Sequence, residues 1–272
     1  MAATRRLFNY PGTKRYLTGM VSAICAKAHR GRVWVEPFCG SAALFYGLAA
    51  RPERALLNDA DPHVMLMHQA CRDFGYGEYA KAVSYVDGRF GDVTADKGAY
   101  YSFRKWWNEE GASLPEAGLL LICLSSMCIN SMLRFGPNGM NQGWGKRRSV
   151  IGEGDWEEMR ARLQSAALTS GDYRLVSVPE GSVVFLDPPY EAADNSLYGH
   201  GFSQREFLGW LSAKRKACPG CLWIYTDVET EAADSLLDEG FRKVRLRGMV
   251  TTAPSKAKSG PSATEAMYVA KS

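Results

Sequence analysis

The residues with the clearest chemical potential are Asp187-Pro188-Pro189-Tyr190, directly after the apolar run Val183 to Leu186. An exocyclic amine on an aromatic ring is a poor nucleophile, because its lone pair is delocalised into the ring. Two hydrogen-bond acceptors against its two N–H groups favour a pyramidal nitrogen and direct the lone pair at an electrophile. The Asp187 carboxylate and a backbone carbonyl fixed by Pro188 are two such acceptors. The prolines hold the turn, so little reorganisation is needed. Tyr190 adds a flat face on which a base taken out of a duplex can stack. The bland alternative is a Pro-Pro turn with an incidental aspartate after a core strand.

Three further groups have ligand-binding potential. Glu36-Pro37-Phe38-Cys39-Gly40-Ser41 ends another apolar run, and its small residues let backbone approach a ligand at a helix N-terminus. Close packing alone would use the same residues. Asn58-Asp59 follows about 20 residues later, where an acid can take both hydroxyls of a ribose or simply cap a helix. In Asn9-Tyr10-Pro11-Gly12-Thr13-Lys14, Lys14 could meet a carboxylate and Tyr10 could lie against a ring.

These groups need elements to position them. Arg32–Glu36, Ala55–Asn58 and Ser182–Leu186 read as short buried strands ending in polar turns. Apolar helical runs follow the first two, at Ala42–Ala50 and about His63–Arg72. Strand, turn and helix repeated this way predict an α/β fold, a mostly parallel Rossmann-like sheet with helices on both faces. Ligands then bind at the carboxyl ends of the strands. Leu222–Thr226, Phe241–Leu246 and Ala266–Ala270 are further strand candidates, and Ser203 is a plausible cap for a helix over Gln204–Lys216. The middle of the chain differs. It is rich in Tyr and Trp, helical in pattern at Tyr100–Trp107 and Glu116–Ile129, and Gly/Asn-rich over Gly136–Gly145. The expected organisation is a catalytic part, 1–73 and 165–272, with an inserted, mainly helical lobe at 74–164.

Composition sets bounds. The 272 residues are 46% hydrophobic and 23% charged, ordinary for a globular protein. No apolar run approaches the ~20 residues of a membrane helix, and no apolar stretch follows Arg5-Arg6 as in a secretory signal. A cytoplasmic protein without membrane attachment is expected. The net charge of +4 permits nucleic-acid binding without arguing for it. Basic residues gather at Lys146-Arg147-Arg148 and from Arg242 to Lys258. The segment Thr251–Thr264, rich in Ser, Thr, Ala, Lys and Pro, reads as mobile. The cysteines number seven, and only Cys218-Pro-Gly-Cys221 has metal-ligand or redox spacing. With no second pair the expectation is a Pro-Gly turn, with neither metal nor disulfide.

The order of these motifs resembles the Dam-like DNA adenine methyltransferases, across most of the chain. Tyr10-Pro-Gly-Thr-Lys14 is similar to that family's aromatic-x-Gly-Gly-Lys segment. Glu36-Pro-Phe-Cys-Gly-Ser41 resembles its cofactor loop, and Leu57-Asn-Asp59 its ribose-binding turn. Gly171-Asp172-Tyr173 resembles the Gly-Asp-Phe beside the cofactor's adenine. Asp187-Pro-Pro-Tyr190 comes late, followed by Tyr198-Gly-His-Gly-Phe-Ser203 and Phe207, and Tyr225-Thr-Asp227 resembles the family's Ser-Asn-Ser-Asp strand end. The resemblance implies S-adenosyl-L-methionine as cofactor, with Asp59 on the ribose and Asp172 and Tyr173 at the adenine. It places Lys14 and Tyr10, with Gly12, at the methionine end and Phe38 at the sulfonium, in a loop framed by Glu36, Gly40 and Ser41. Asp187, Pro188 and Tyr190 would be catalytic, with direct in-line methyl transfer to adenine N6, no covalent enzyme intermediate and no metal.

Departures are small. Thr13 replaces the second Gly of the N-terminal motif, Ser41-Ala42 replaces a Gly-rich ending, and Tyr10 and Tyr173 stand where Trp and Phe are usual. In the lobe, Asn130, Arg134-Phe135, Asn138-Gly139 and Trp144-Gly-Lys146-Arg147-Arg148 resemble a shortened DNA-contacting hairpin, and an Asn-Gly turn suits one. Arg134 would meet a guanine edge, Lys146, Arg147 and Arg148 phosphates, with Asn130 and Asn138 nearby. A solvated Gly-rich loop is the alternative. The implied partner is double-stranded DNA, met by a monomer, with a restriction endonuclease as a conceivable cellular partner. Rival readings are a methyltransferase of cytosine N4 or of a protein glutamine amide, and a DNA-binding relative without activity.

Overall fold

In a computed structural model of the chain, residues 6–10, 12–26, 32–131, 133–146, 148–190, 202–249 and 264–272 are described, with backbone only at 247–249. The elements in order are α1 (Thr18–Ala26), β1 (Val33–Glu36), α2 (Ala43–Gly47), β2 (Arg54–Asp59), α3 (Pro62–Asp73), α4 (Tyr76–Phe90), α5 (Lys97–Glu109) and α6 (Ala117–Met127). Then come β3 (Phe135–Gly136), β4 (Gly139–Met140), α7 (Glu153–Leu163), β5 (Ala166–Ser170), β6 (Val183–Leu186), α8 (Gln204–Ala217), β7 (Leu222–Val228), α9 (Glu231–Asp234), β8 (Arg242–Met249) and β9 (Thr264–Lys271). The chain divides into two compact units: Met1–Thr18, Gly40–Ala49 and Pro62–Leu168 in one, Gly19–Cys39, Ala50–Asp61 and Thr169–Ser272 in the other.

The sheet has seven strands in the order β5-β2-β1-β6-β7-β9-β8. β1 runs parallel to β2 and β6, and β6 to β7, while β9 lies antiparallel between β7 and β8. This is the mostly parallel α/β sheet expected. β6 and β7 are buried at every position, as covered parallel strands require. The chain moves outward from β1 to β2 and returns to β6 on the other side, so strand order reverses between β1 and β6. There, at the carboxyl ends, a doubly wound sheet opens a crevice. β8 is an edge strand whose Arg242 and Arg245 are exposed. In the basic segment, Lys243 pairs with Glu229 and Asp234, and Arg245 with Glu229. Residues 250–263, and with them most of the segment read as mobile, lie outside the described residues.

In the other unit all eleven residues of α6 are buried. A helix apolar all round belongs at a core centre. It packs on α3 closely enough that a Cβ on Gly118 would stand 2.5 Å from the Leu66 carbonyl oxygen. Ser125 and Ser126 satisfy their hydroxyls on the Ile122 and Cys123 carbonyls of the same helix. The sequence patterns at Tyr100–Trp107 and Glu116–Ile129 correspond to α5 and α6. α4, α7 and β5 were not anticipated. The expected hairpin forms, but Phe135–Gly136 pairs with Gly139–Met140, so Pro137-Asn138 rather than Asn138-Gly139 makes its turn. Among the described residues no helix is long and apolar enough to cross a membrane.

Candidate active site

On the sheet unit, β1 ends in Glu36, whose buried carboxylate accepts from Trp34 Nε1 at 2.7 Å. These side chains, two residues apart on one strand, share a face. Asn58, at the end of β2, ties the rim together. Its Nδ2 donates to the carbonyls of Pro37 at 3.0 Å and Gly171 at 2.9 Å, and its Oδ1 accepts from Thr169 Oγ1 at 2.9 Å. Asp59, 8% exposed, follows it. The Asp59 backbone oxygen accepts from Gly171 N, and its carboxylate accepts from Asp61 N at 3.0 Å. Burial pushes the Cys39 thiol well above its ordinary value, and the nearby Asp59 and Glu36 carboxylates add to it.

Phe38 is half-buried against Tyr173, with ring centroids 4.8 Å apart, and the buried Phe207 closes the cluster at 5.8 Å from Phe38. Asp172 caps the short turn Tyr173–Leu175 through Arg174 N and takes the Arg174 guanidinium on both oxygens. Those hydrogen bonds hold its carboxyl below the usual aspartate range. Asp172 therefore comes with a cationic neighbour, Arg174.

Asp187 follows β6. Its Oδ1 accepts from Thr226 Oγ1 of β7 at 2.8 Å, and the Tyr190 hydroxyl lies 3.3 Å from the same oxygen. Tyr190 donates to Glu265 of β9. Asp227 is 2% exposed and accepts from Tyr225, from Gln204 Nε2 and from Val228 N. Burial raises its carboxyl above the ordinary value, and the charge of Asp187 adds to the effect. The carboxyl ends of β1, β2, β6 and β7 thus carry Glu36, Asp59, Asp187 and Asp227, with one aromatic slot at Phe38 and Tyr173.

In the other unit Gly40 has φ +47, and a Cβ there would stand 2.6 Å from Tyr10 Cδ1. Only glycine leaves the Tyr10 ring room to lie against this backbone. His68 of α3, fully buried, places Nε2 2.8 Å from the Gly40 carbonyl oxygen and Nδ1 2.9 Å from the Tyr46 hydroxyl. Lys14, 6% exposed, donates to the Gly12 carbonyl at 2.7 Å, where φ of Gly12 is +72. Thr13, the departure from a Gly-Gly motif, sets its hydroxyl 3.5 Å from that of Ser41. Pro11 lies outside the described residues.

The hairpin of this unit is rooted by Phe135, stacked on His63 at 3.5 Å and 10°. Asn108 of α5 holds both the N–H and the carbonyl of Met140. Asn130, Arg134, Asn138 and Lys146 are exposed around it. Arg148 is not: its side chain is 10% exposed and pairs with Asp87 of α4 at 2.6 Å. A phosphate contact by Arg148 would have to break that pair. Arg147 and residues 191–201 lie outside the described residues.

The family model of the D12 class N6 adenine-specific DNA methyltransferases matches residues 10–214. The chain belongs to this family. The matched span opens at Tyr10 and includes Asp59, Asp172 and Asp187-Tyr190. The chain is 25% identical over 209 residues to the DNA N-6-adenine-methyltransferase of Escherichia phage P1, covering 75% of this chain but 26% of that one. It is 23% identical to the Type II methyltransferase M.CviBI of Paramecium bursaria Chlorella virus NC1A, over 77% of this chain and 80% of that one. With the DNA adenine methylase of Haemophilus influenzae it shares 24% identity, over 75% and 70%. The sequence reading gave no role to Thr226, although it lies in Tyr225-Thr-Asp227, nor to Glu265 and Gln204 on the sheet unit, nor to His68 in the other unit. Their partners lie across strands and helices, where spacing along the chain carries no signal. The one available hint was an acid, Glu265, beside the apolar run Ala266–Ala270.

Proposed function

We propose that the chain transfers a methyl group from S-adenosyl-L-methionine to adenine N6 of a base flipped out of double-stranded DNA. The observation that carries this reading is Asp187, held by Thr226 at the end of β6 with Tyr190 beside it. Asp187 and the Pro188 carbonyl accept the two amine hydrogens, which orients the nitrogen lone pair. Tyr190 receives the base by stacking.

The residues present suit the cofactor's chemistry. Acidic strand ends suit its positive charge, the Phe38–Tyr173 slot suits a flat ring, and Asp59 suits a vicinal diol. Asp59 would hold the ribose, Asp172 and Tyr173 the adenine, Phe38 the sulfonium side, and Tyr10, Gly12 and Lys14 the methionine end. Glu36, Gly40 and Ser41 shape the loop. When bound, this group supplies an electrophilic methyl on sulfur. Asn130, Arg134, Asn138, Lys146 and Arg147 would face DNA, so 74–164 is the recognition part and 1–73 with 165–272 the catalytic part. The enzyme acts as a monomer in the cytoplasm, and a restriction endonuclease would be its partner in the cell.

The test is incubation of the purified chain with plasmid DNA and radiolabelled cofactor, followed by single-molecule sequencing of the product. N6-methyladenine at one sequence context is expected. Label on cytosine or protein, or on nothing, sinks the reading.

A further inference from the structure

Resting on that reading, we infer that Glu265 is a positioning residue for methyl transfer: it anchors the Tyr190 ring by its hydroxyl and sets the stacking face beside Asp187. Strand register puts these groups together. Leu186 pairs with Tyr225, so the next residues, Asp187 and Thr226, lie side by side. Val228 pairs with Glu265. Paired residues share a face and alternate residues along a strand share it too. Asp187, Thr226, Val228 and Glu265 therefore project from one side of the sheet, and Tyr225, Asp227 and Tyr268 from the other.

Proton counting separates the roles. The Tyr190 hydroxyl has one hydrogen and, among the described residues, two carboxylates in reach. Glu265 Oε1 is the nearer, and Asp187 Oδ1 lies at 3.3 Å. The hydrogen therefore goes to Glu265, while Thr226 serves Asp187 at 2.8 Å. Glu265 is 7% exposed, and a buried carboxylate favours a donor such as the Tyr190 hydroxyl. Pro188 and Pro189 fix the backbone before Tyr190 but leave its ring torsions open. A hydrogen bond at the far end of the ring settles its tilt, and the tilt decides where a stacked base presents its amine. The family model ends at residue 214, before β7 and β9, so this support lies outside the matched span.

The test is a double-mutant cycle of Glu265→Ala and Tyr190→Phe, with kcat, KM for DNA and calorimetric cofactor affinity measured on each protein. Glu265→Ala is expected to lower kcat at least tenfold while cofactor affinity stays within twofold. In the Tyr190→Phe background it should cost less than twofold more, because the contact is already gone. Glu265→Gln keeps a carbonyl acceptor and should recover most of the rate. A duplex with 2-aminopurine at the target position should change its bound emission alike in Glu265→Ala and Tyr190→Phe. Should Glu265→Ala not fold, Glu265→Leu takes its place in the cycle. Equal costs in both backgrounds, or cofactor affinity falling in step with kcat, overturn the inference. An active wild type with such additive costs defeats this inference alone, whereas a wild type that does not methylate DNA defeats the proposed function.

Discussion

His68 Nε2 stands 2.8 Å from the carbonyl oxygen of Gly40, and a carbonyl can only accept. The imidazole must therefore carry its hydrogen on Nε2, and Nδ1 accepts from the Tyr46 hydroxyl. Gly40 is thus held from both sides, its carbonyl by His68 and its Cα by the Tyr10 ring. A neutral histidine in the core fixes the backbone at the end of the glycine loop.

That arrangement makes stability depend on acid. Burial lowers the His68 pKa from 6.5 to about 4. The unfolded chain therefore binds a proton that the folded one refuses between those values. Stability rises with pH across this window and is lost as pH falls from about 6.5 toward 4. The shift corresponds to about 3 kcal/mol at full effect. Urea titrations at pH 7.5 and 4.5 should show the loss, reduced in His68→Gln, whose amide can still donate to Gly40. Equal losses in both proteins would assign acid sensitivity elsewhere.

Asp187→Ala should abolish methyl transfer, since one of the two amine acceptors disappears. A residual rate above about a tenth of wild type, less than ~1.4 kcal/mol of barrier, would remove Asp187 from the amine-orienting role. Single-turnover assays with saturating cofactor measure this directly.

Asp59→Ala should act on cofactor affinity and leave the chemical step alone. Its carboxylate also accepts from Asp61 N, so a local role competes with the ribose role. Calorimetry separates them: an unchanged dissociation constant with lowered thermal stability would leave Asp59 as a turn former.

Arg134, Lys146 and Arg148 should fail in three different ways. Lys146→Ala should weaken binding to all sequences and flatten the salt dependence of log K by about one unit. Arg134→Ala should cost about 1–3 kcal/mol on the preferred site and spare unrelated DNA. Arg148→Ala should leave DNA affinity unchanged and lower stability by about 1 kcal/mol, having lost its pair with Asp87. Anisotropy titrations on cognate and scrambled duplexes at several salt concentrations, with melts of each variant, distinguish these outcomes. Arg134→Ala lowering both affinities equally would make it a backbone contact.

The parts of the site that could be read before the structure are those whose signal is local. Val183–Leu186 and Asp187-Pro-Pro-Tyr190 are contiguous, and so are Val33–Glu36 with its turn and Leu57-Asn-Asp59. Apolar strands that end in polar turns announce themselves within a few residues. Where the signal is non-local the reading stopped. β5 is mostly exposed and lacks alternation, so its residues look like loop. α4 buries only Tyr79, Ala82 and Val86, too sparse a stripe among glycines and charges to stand out. Thr226 and Glu265 matter through register with β6 and β7, and Arg148 through a partner 61 positions away. Lys146-Arg147-Arg148 looked like one basic surface, but charge spacing cannot show that the Arg148 side chain turns to Asp87.

The edge strand β8 has a consequence for how molecules of this protein behave together at high concentration. An open strand edge is a template on which a second molecule can extend the sheet. Arg242 is exposed on that strand, whereas Arg245 shares Glu229 with Lys243, so like charge at Arg242 disfavours the meeting of two such edges. Replacing Arg242 with threonine would keep the strand and remove that like charge from the end of the sheet opposite β5.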